Sequence, residues 1–253
     1  MSRYKKYSGY ECYPQYESVA EKKAKVQKNL NKLKAKTALE LNPIVIEGRT
    51  ISNSWWGKSW CKNLERYSDY SNRIGRGRCY VKNGFVVDLT ISEGKIESLV
   101  MGSGAKPYKC VINISTLSGS AWKTIKEKIG SKFDSIQVLL AGKFPTDLQD
   151  ILSSLDYGFF PKPKEIKMDC SCPDWATMCK HIAATLYGVG ARLDESPELI
   201  FTLRGVDMKE LIDKTIKSHT DSLIKRAINI KSSRIMKVEE QSLGKLFNID
   251  FKS

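Results

Sequence analysis

Hydrophobic and polar residues alternate most regularly between positions 79 and 114, and turn residues interrupt the alternation. The alternating segments are 79–82, 85–91, 95–101 and 108–114. Asn83-Gly84 separates the first two segments and readily supplies the positive φ angles of a tight hairpin turn, and Glu93-Gly94 begins the next turn. The pattern therefore predicts an antiparallel meander of these segments.

Helical periodicity precedes the meander. Ser18 and Glu21 match a capping box, after which Val26, Leu30 and Leu33 recur at helical spacing and leave one basic face. This pattern predicts a helix that runs to about residue 36.

A second helix is predicted over residues 55–67, with Trp56, Trp60 and Leu64 on one side. Stacked tryptophans at this spacing are more often core residues than a base-stacking platform. Further helix starts are indicated at Asp134, Thr146, Pro197 and Asp207. Together with the meander, these helices predict an α+β fold with flanking helices.

Metal-ligating residue types cluster between positions 170 and 181, although the chain has only seven cysteines and two histidines. Residues two apart in an extended segment point to the same side, so Cys170 and Cys172 can face one ion. The same step in a helix turns by about 200°, so Cys179 and His181 cannot both lie inside a helix and converge. We therefore expect Cys179 in the turn before a helix and His181 in its first turn.

Three thiolates and one imidazole form a complete tetrahedral donor set, which predicts one structural Zn²⁺ rather than a catalytic one. Two alternatives remain: buried thiols that only fill the core, and redox chemistry of the Cys-x-Cys pair. A disulfide across one residue would be strained and would leave Cys179 and His181 without a role. The other cysteines, Cys12, Cys61, Cys79 and Cys110, are expected to be free thiols in a reducing compartment.

The predicted zinc ion has two expected effects on its surroundings. Residues 163–190 hold little apolar material, so we expect Zn²⁺ to order them. Four lysines lie close to these ligands in the sequence, namely Lys162, Lys164, Lys167 and Lys180. These lysines would offset the net negative charge of the zinc complex and form one surface.

The Cys-x-Cys and Cys-x-His pattern resembles the SWIM zinc finger family. Segments 56–61, 67–73, 196–205 and 243–251 also resemble stand-alone bacterial and archaeal members, so the resemblance covers most of the chain. It implies a DNA-binding or protein-interaction module, of the kind found in or encoded near Swi/Snf-type helicase-like ATPases and in Mutator-type transposases. None of those catalytic domains is visible here, so an accessory role is implied.

A four-part organisation is predicted from these segments. Residues 1–40 form a basic N-terminal arm and helix, and 41–160 form an α+β domain with the meander. Residues 161–205 form the zinc-nucleated SWIM module of strand, turn and helix, and 206–253 form a C-terminal helical segment and tail.

The formal net charge is +14, and the excess lies towards the ends of the chain. Residues 1–36 hold ten Lys or Arg against three Asp or Glu, and residues 204–253 hold eleven against seven. Such charge binds a phosphate backbone without sequence preference and in a salt-sensitive way, although it can also serve solubility alone. Candidate contacts are the four lysines above and, in a basic and aromatic stretch, Arg73, Arg76 and Arg78. A surface loop anchored by its tyrosines is an equal alternative for that stretch.

The sequence shows no apolar run of about 18 residues, and residues 1–6 precede no apolar segment of a signal peptide. We expect a cytoplasmic protein without a membrane partner or small-molecule substrate. The sequence shows no nucleophilic side chain paired with a general base, so we expect no enzyme activity. The leading hypothesis is a zinc-binding accessory factor that binds nucleic acid, with DNA as the first candidate, and acts with a helicase-like ATPase or a similar machine. The alternative is an adaptor that docks on such an ATPase without touching nucleic acid.

Overall fold

The computed structural model describes residues 18–36, 41–66, 71–102, 104, 106–130, 146–154 and 159–229. Its centre is a four-stranded antiparallel sheet in the order β1-β2-β3-β4, and helices pack around it. The strands are β1 (Val86–Ser92), β2 (Lys95–Val100), β3 (Tyr108–Ile114) and β4 (Ile166–Cys170). The predicted α+β class with an antiparallel meander is confirmed.

The turn between β1 and β2 lies where the sequence predicted it. Gly94 adopts a φ of 64°, which glycine reaches at no steric cost, and Ile91 of β1 then pairs with Ile96 of β2. Strand β2 pairs in turn with β3, where Ile96 lies opposite Ile112. These isoleucine positions place apolar side chains of adjacent strands side by side.

The prediction of a strand over residues 79–82 is wrong, because these residues form the end of helix α3 (Ser71–Lys82). Gly84, with a φ of 71°, ends this helix, and the amide of Phe85 donates to the carbonyl of Tyr80. A glycine with positive φ serves equally well in a hairpin turn and at a helix C-terminus. The short alternating segment before Asn83 could not distinguish these two uses.

The fourth strand of the sheet comes from the metal-ligand segment instead. Strand β4 pairs with β3, with Met168 opposite Ile112 and Cys170 opposite Cys110. The four-part division of the chain stays a prediction, but two of its parts contribute strands to the same sheet.

The helices, in chain order, are α1 (Val19–Lys36), α2 (Trp55–Glu65), α3, α4 (Gly119–Gly130), α5 (Thr146–Ser153), α6 (Lys180–Glu195), α7 (Leu199–Leu203) and α8 (Met208–Asn229). The capping box of α1 is present, since the Ser18 amide donates to Glu21 and the Glu21 amide donates to Ser18. Helix α5 begins at the predicted Thr146, whereas the helix predicted at Asp134 lies outside the described residues. No helix in the described ranges is both long and apolar enough to cross a membrane.

Helix α6 lies at the centre of the core, with every residue from His181 to Gly190 buried. Trp56 and Trp60 of α2 are 4% and 2% exposed, so the prediction that they are core residues is confirmed. The indole of Trp60 donates to the carbonyl of Leu186 at 2.8 Å, and Thr185 shares a 2.6 Å hydrogen bond with Ser98 of β2. Helix α6 is therefore held by both helix α2 and the sheet.

A smaller apolar cluster joins α1 to β1 and to the residues that flank β1 and β2 at one end of the sheet. Val26 of α1 packs with Phe85, Val87 and Met101, and all four side chains are buried. Leu30 packs against the same cluster, so the apolar stripe predicted for α1 is confirmed at Val26 and Leu30.

The start of β4 is held by a buried cation. The guanidinium of Arg204, which is 0% exposed, donates to the Ser115 carbonyl and to Glu165 at 3.0 Å. A charge-assisted contact of this kind fixes the residue before β4 relative to the end of β3.

Candidate metal centre

The first two candidate ligands lie at the end of an edge strand. Side chains of β4 alternate, so that Met168 and Cys170 point towards the core while Lys167 and Asp169 are exposed. Cys172 follows two residues later and is half-buried. This alternation brings the Cys-x-Cys pair to one side of the strand end, as its spacing predicted.

The other two candidate ligands lie at the start of α6. Cys179 is the N-cap residue, with φ −72° and ψ 169°, and its sulfur accepts from the Ile182 amide at 3.5 Å. His181 lies in the first turn. The predicted placement of these two residues around the helix start is therefore confirmed.

The four donor atoms lie close together. The sulfurs of Cys170, Cys172 and Cys179 and a ring nitrogen of His181 are all within 4.8 Å of one another. Nδ1 of His181 is 3.9 Å from the Cys170 sulfur and 4.0 Å from the Cys179 sulfur. Donors around a tetrahedral Zn²⁺ are about 3.5–3.8 Å apart, so closure around an ion requires movements of about 1 Å or less. The cluster can therefore hold a metal ion.

Aromatic rings fix the orientation of the histidine. His181 is 2% exposed, and the ring of Tyr108 stacks on it with centroids 4.4 Å apart. Tyr80 makes an edge contact with the same imidazole at 5.5 Å. Gly102 makes this stack possible, since a Cβ there would lie 2.4 Å from Tyr108 and 3.4 Å from Nε2 of His181. Within the described chain Nε2 has no hydrogen-bond partner, while Nδ1 faces the sulfurs.

The thiols hold their protons in the absence of a cation. Contact with the Cys170 sulfur, together with burial, raises the pKa of Cys179 to about 12. Contact with Cys110 is the main cause that raises the pKa of Cys170, and burial raises that of Cys172. Since thiolate is the ligating form, a metal ion must displace these protons when it binds.

A fifth cysteine borders the cluster, and nothing in the sequence indicated its proximity. Cys110 of β3 is 0% exposed, and its sulfur lies 3.6 Å from that of Cys170 on the paired strand. No spacing in the sequence connects positions 110 and 170, so only the strand register reveals this neighbour. Tyr108 was missed for the same reason.

The segment around the donors has more support from the core than the sequence indicated. Helix α6 carries a run of buried residues that includes Ile182, Leu186 and Val189, and it packs on α2, α3 and the sheet. The premise that residues 163–190 hold little apolar material is therefore wrong for α6, whereas the ordering of this segment by Zn²⁺ stays a prediction. The loop between Cys172 and Cys179 has no regular secondary structure and is the part that a metal would chiefly brace.

The four lysines near the candidate ligands occupy different places. Lys162 precedes the short 3-10 turn before β4 and Lys164 lies within that turn, at the opposite end of the strand from Cys170. Lys167 is exposed on the outer face of β4. Lys180 is half-buried at the start of α6, where its ammonium lies 5.4 Å from the ring centre of Tyr80. The expectation that these lysines surround the donors fails for Lys162 and Lys164, because the strand separates them from the sulfurs.

The three arginines of the basic and aromatic stretch lie on helix α3. Arg73 forms an ion pair with Asp174 of the loop between the candidate ligands, at 3.1 Å. Arg78 contacts Glu65 and donates to the Tyr187 hydroxyl at 2.7 Å. Arg76 is exposed. Two of the three predicted nucleic-acid contacts are thus engaged within the protein.

No family model matches the chain, and no solved structure matches it. A curated relative, the uncharacterized protein Rv2102 of Mycobacterium tuberculosis, is 34% identical over 172 residues. The aligned region covers 68% of this chain and 62% of the relative, so the chain spans less than two thirds of that protein's length. The chain is thus similar to a mycobacterial protein that is itself described as uncharacterized.

Proposed function

We propose that the chain binds one structural Zn²⁺ through Cys170, Cys172, Cys179 and His181. The observation that carries this proposal is the convergence of four soft or borderline donors within 4.8 Å at the junction of a strand end and a helix start. Three thiolates and one imidazole suit Zn²⁺, and four protein donors leave no open position for a substrate. The site is therefore proposed to be structural rather than catalytic.

Metal analysis of matched variants tests this assignment. We expect about one zinc per chain in protein purified without chelator, and a large loss in a Cys172→Ser variant. The matched control is Cys79→Ser, which replaces an exposed cysteine of α3 outside the cluster and keeps its zinc. Full zinc content in Cys172→Ser would refute the assignment.

The wider function that we propose is that of a SWIM-type accessory factor that binds nucleic acid, with DNA as the first candidate, and has no enzyme activity of its own. Support comes from the strand, turn and helix that carry the Cys-x-Cys and Cys-x-His pairs, and from the net charge of +14. The exposed lysines of α1, Lys22, Lys23, Lys25, Lys28 and Lys32, add a basic surface. Such a surface favours phosphate contacts by releasing counterions.

Salt dependence tests this function. Affinity of the zinc-loaded protein for a labelled DNA duplex and for a labelled single strand is measured by fluorescence anisotropy between 50 and 200 mM salt. We expect measurable binding whose logarithm falls linearly with the logarithm of salt concentration. Absence of binding to either oligonucleotide at the lowest salt concentration would refute the function.

A second candidate is the adaptor that docks on a Swi/Snf-type helicase-like ATPase. The observation that favours it is a set of exposed apolar side chains on α8. Ile216, Leu223 and Ile224 are 41%, 50% and 51% exposed. Positions 216, 223 and 224 recur on one side of a helix. Binding of a purified ATPase of this type that persists in high salt and is lost on Leu223→Lys would support the adaptor, whereas salt-sensitive binding to DNA alone would not.

A further inference from the structure

The sheet has one covered edge and one open edge. Residues 42–44 run along the outer side of β1, where the Ile44 amide donates to the Val86 carbonyl at 3.1 Å and the Leu89 amide donates to the Asn42 carbonyl at 3.0 Å. Strand β4 forms the opposite edge, and in the described part of the chain no strand lies beyond it. An open edge strand presents backbone donors and acceptors that can pair with a further strand.

Hydrogen bonds at the two ends of β4 show which of its backbone groups face the open edge. The Ser171 amide donates to the Lys109 carbonyl, and the Ser115 amide donates to the Glu165 carbonyl, both at 3.0 Å. Between these points the register of β3 and β4 runs without a shift. Since bonded and non-bonded pairs alternate along an antiparallel ladder, the odd-numbered residues bond to β3. Met168, in the middle of the strand, therefore points its N–H and C=O groups away from β3.

The outer face of β4 carries one cation and one anion. Lys167 and Asp169 are both exposed and lie two residues apart on this face. The same face of the sheet already uses charge pairs, because Glu97 of β2 lies 3.0 Å from Lys95 and 3.5 Å from Lys109 of β3. Among the described residues, neither charged residue of β4 has such a partner. Their charges are thus available to a strand that pairs with the open edge.

Two copies of β4 complement each other when they pair antiparallel about Met168. A two-fold axis at this residue places Lys167 of each copy opposite Asp169 of the other. Side chains directly opposite each other have Cβ atoms about 4.5–5.5 Å apart, so two ion pairs of opposite charge form. The outward N–H and C=O groups of Met168 bond to those of its counterpart, and the two half-buried Met168 side chains meet on the inner face.

Neighbouring positions of the axis fit less well. An axis at Lys167 or at Asp169 would place that residue opposite itself in the second copy, so that like charges would meet. An axis two residues away from Met168 would pair part of β4 with the 3-10 turn before it or with the loop after Cys170, neither of which is a strand. The strand therefore specifies a single register for pairing with itself.

We propose that the open edge of β4 binds a second copy of this chain, so that the sheets of the two copies continue into one antiparallel sheet. Backbone hydrogen bonds between the two β4 strands supply the affinity, as in other cases of strand addition. The two ion pairs between Lys167 and Asp169 set the register. A lone lysine on an edge strand opposes pairing, whereas a lysine and an aspartate at this spacing favour it in one arrangement.

Sedimentation velocity of the full chain, loaded with zinc, tests the proposal through charge reversal. From about 1 to about 200 μM protein, the mass should rise from one chain towards two. Lys167→Glu and Asp169→Lys should each weaken the dimer at least about fivefold, because each places like charges opposite each other. The double variant should restore the dimer, since opposite charges then meet again. Lys58→Glu, the same charge change at an exposed position of α2, is the matched control and should leave the dimer unchanged.

A Met168→Pro variant tests the backbone pairing. It removes an N–H that points to the open edge and leaves the hydrogen bonds to β3 in place, and proline is tolerated on edge strands. We expect a single chain at every concentration, with the zinc content and circular dichroism of the wild type. Wild-type protein that stays a single chain at the highest concentration overturns the proposal. Single charge reversals that leave the dimer intact, or a double variant that does not restore it, overturn the proposal as well.

Discussion

The sulfurs of Cys110 and Cys170 lie 3.6 Å apart on paired strands. The neighbouring residues Lys109 and Ser171 form a hydrogen-bonded pair, since the Ser171 amide donates to the Lys109 carbonyl at 3.0 Å. The two cysteines therefore occupy a non-hydrogen-bonded pair of an antiparallel ladder, in which the Cα atoms are about 4.5 Å apart. This separation falls within the range that a disulfide can bridge.

Hydrogen peroxide should therefore join Cys110 to Cys170 in metal-free protein. Two thiols lose their hydrogens, one disulfide forms, and the peroxide is reduced to two molecules of water. We expect peptide mass mapping to find this disulfide, and bound zinc to slow its formation because the metal withholds the Cys170 sulfur. Oxidation that instead links Cys170 to Cys172 or Cys179 would contradict the prediction.

A Cys110→Ser variant provides the control for this reaction. It should retain zinc, because Cys110 is not one of the four convergent donors, and it should lose the disulfide. Replacement of the exposed Cys79 by serine should change neither property.

Zinc binding should release protons. The raised pKa of Cys179, about 12, and the raised pKa values of Cys170 and Cys172 mean that all three thiols are protonated near pH 7 in metal-free protein. Because the metal binds thiolates, about three protons should leave for each zinc ion, and affinity should fall as the pH is lowered. Calorimetry in buffers of different ionisation enthalpy measures this number. Release of fewer than about two protons would show that not all three thiols bind.

Helices α3 and α6 approach each other closely at Gly77, so a side chain at this position should destabilise the protein. A Cβ there would lie 2.5 Å from Cβ of Ala183 and 2.9 Å from its carbonyl carbon. Gly77→Ala should destabilise the protein by about 1–3 kcal/mol, because α6 cannot move away without disturbing the core. Gly75 in the same helix has nothing within 4 Å of such a Cβ, so Gly75→Ala should stabilise by up to about 1 kcal/mol. Urea unfolding measures both, and equal effects would contradict the close approach.

Asp194 of α6 should make stability depend on acid pH. Burial opposes its ionisation, but hydrogen bonds from the Asn53 amide and from Ser52 and Ser54 together hold the pKa of Asp194 below its usual value. The folded pKa is lower than the unfolded one, so this stabilisation is present above about pH 4 and is lost as the pH falls through the folded pKa.

The Asp194→Asn variant tests this dependence. It should be destabilised at pH 7 by about 1–3 kcal/mol, because the hydrogen bonds from Ser52, Asn53 and Ser54 lose their charged acceptor. Its free energy of unfolding should decline less than that of the wild type between pH 5 and pH 3. A parallel decline in both proteins would contradict the assignment to Asp194.

The sequence by itself determined the four convergent donors and most secondary structure. A Cys-x-Cys pair in an extended segment and a Cys-x-His pair at a helix start are local patterns, and local backbone geometry decides how their side chains point. The same holds for the capping box at Ser18 and the turn at Gly94. These features needed no knowledge of distant contacts.

Only the tertiary structure decided which distant residues meet. Strand pairing placed Cys110 against Cys170 and joined β4 to the meander, and helix packing engaged Arg73 with Asp174 and Arg78 with Glu65. The role of Asn83-Gly84 was likewise decided by the helix before it, because its backbone angles suit two structures. Contacts between residues far apart in the chain depend on register and packing, and no short pattern in the sequence encodes them.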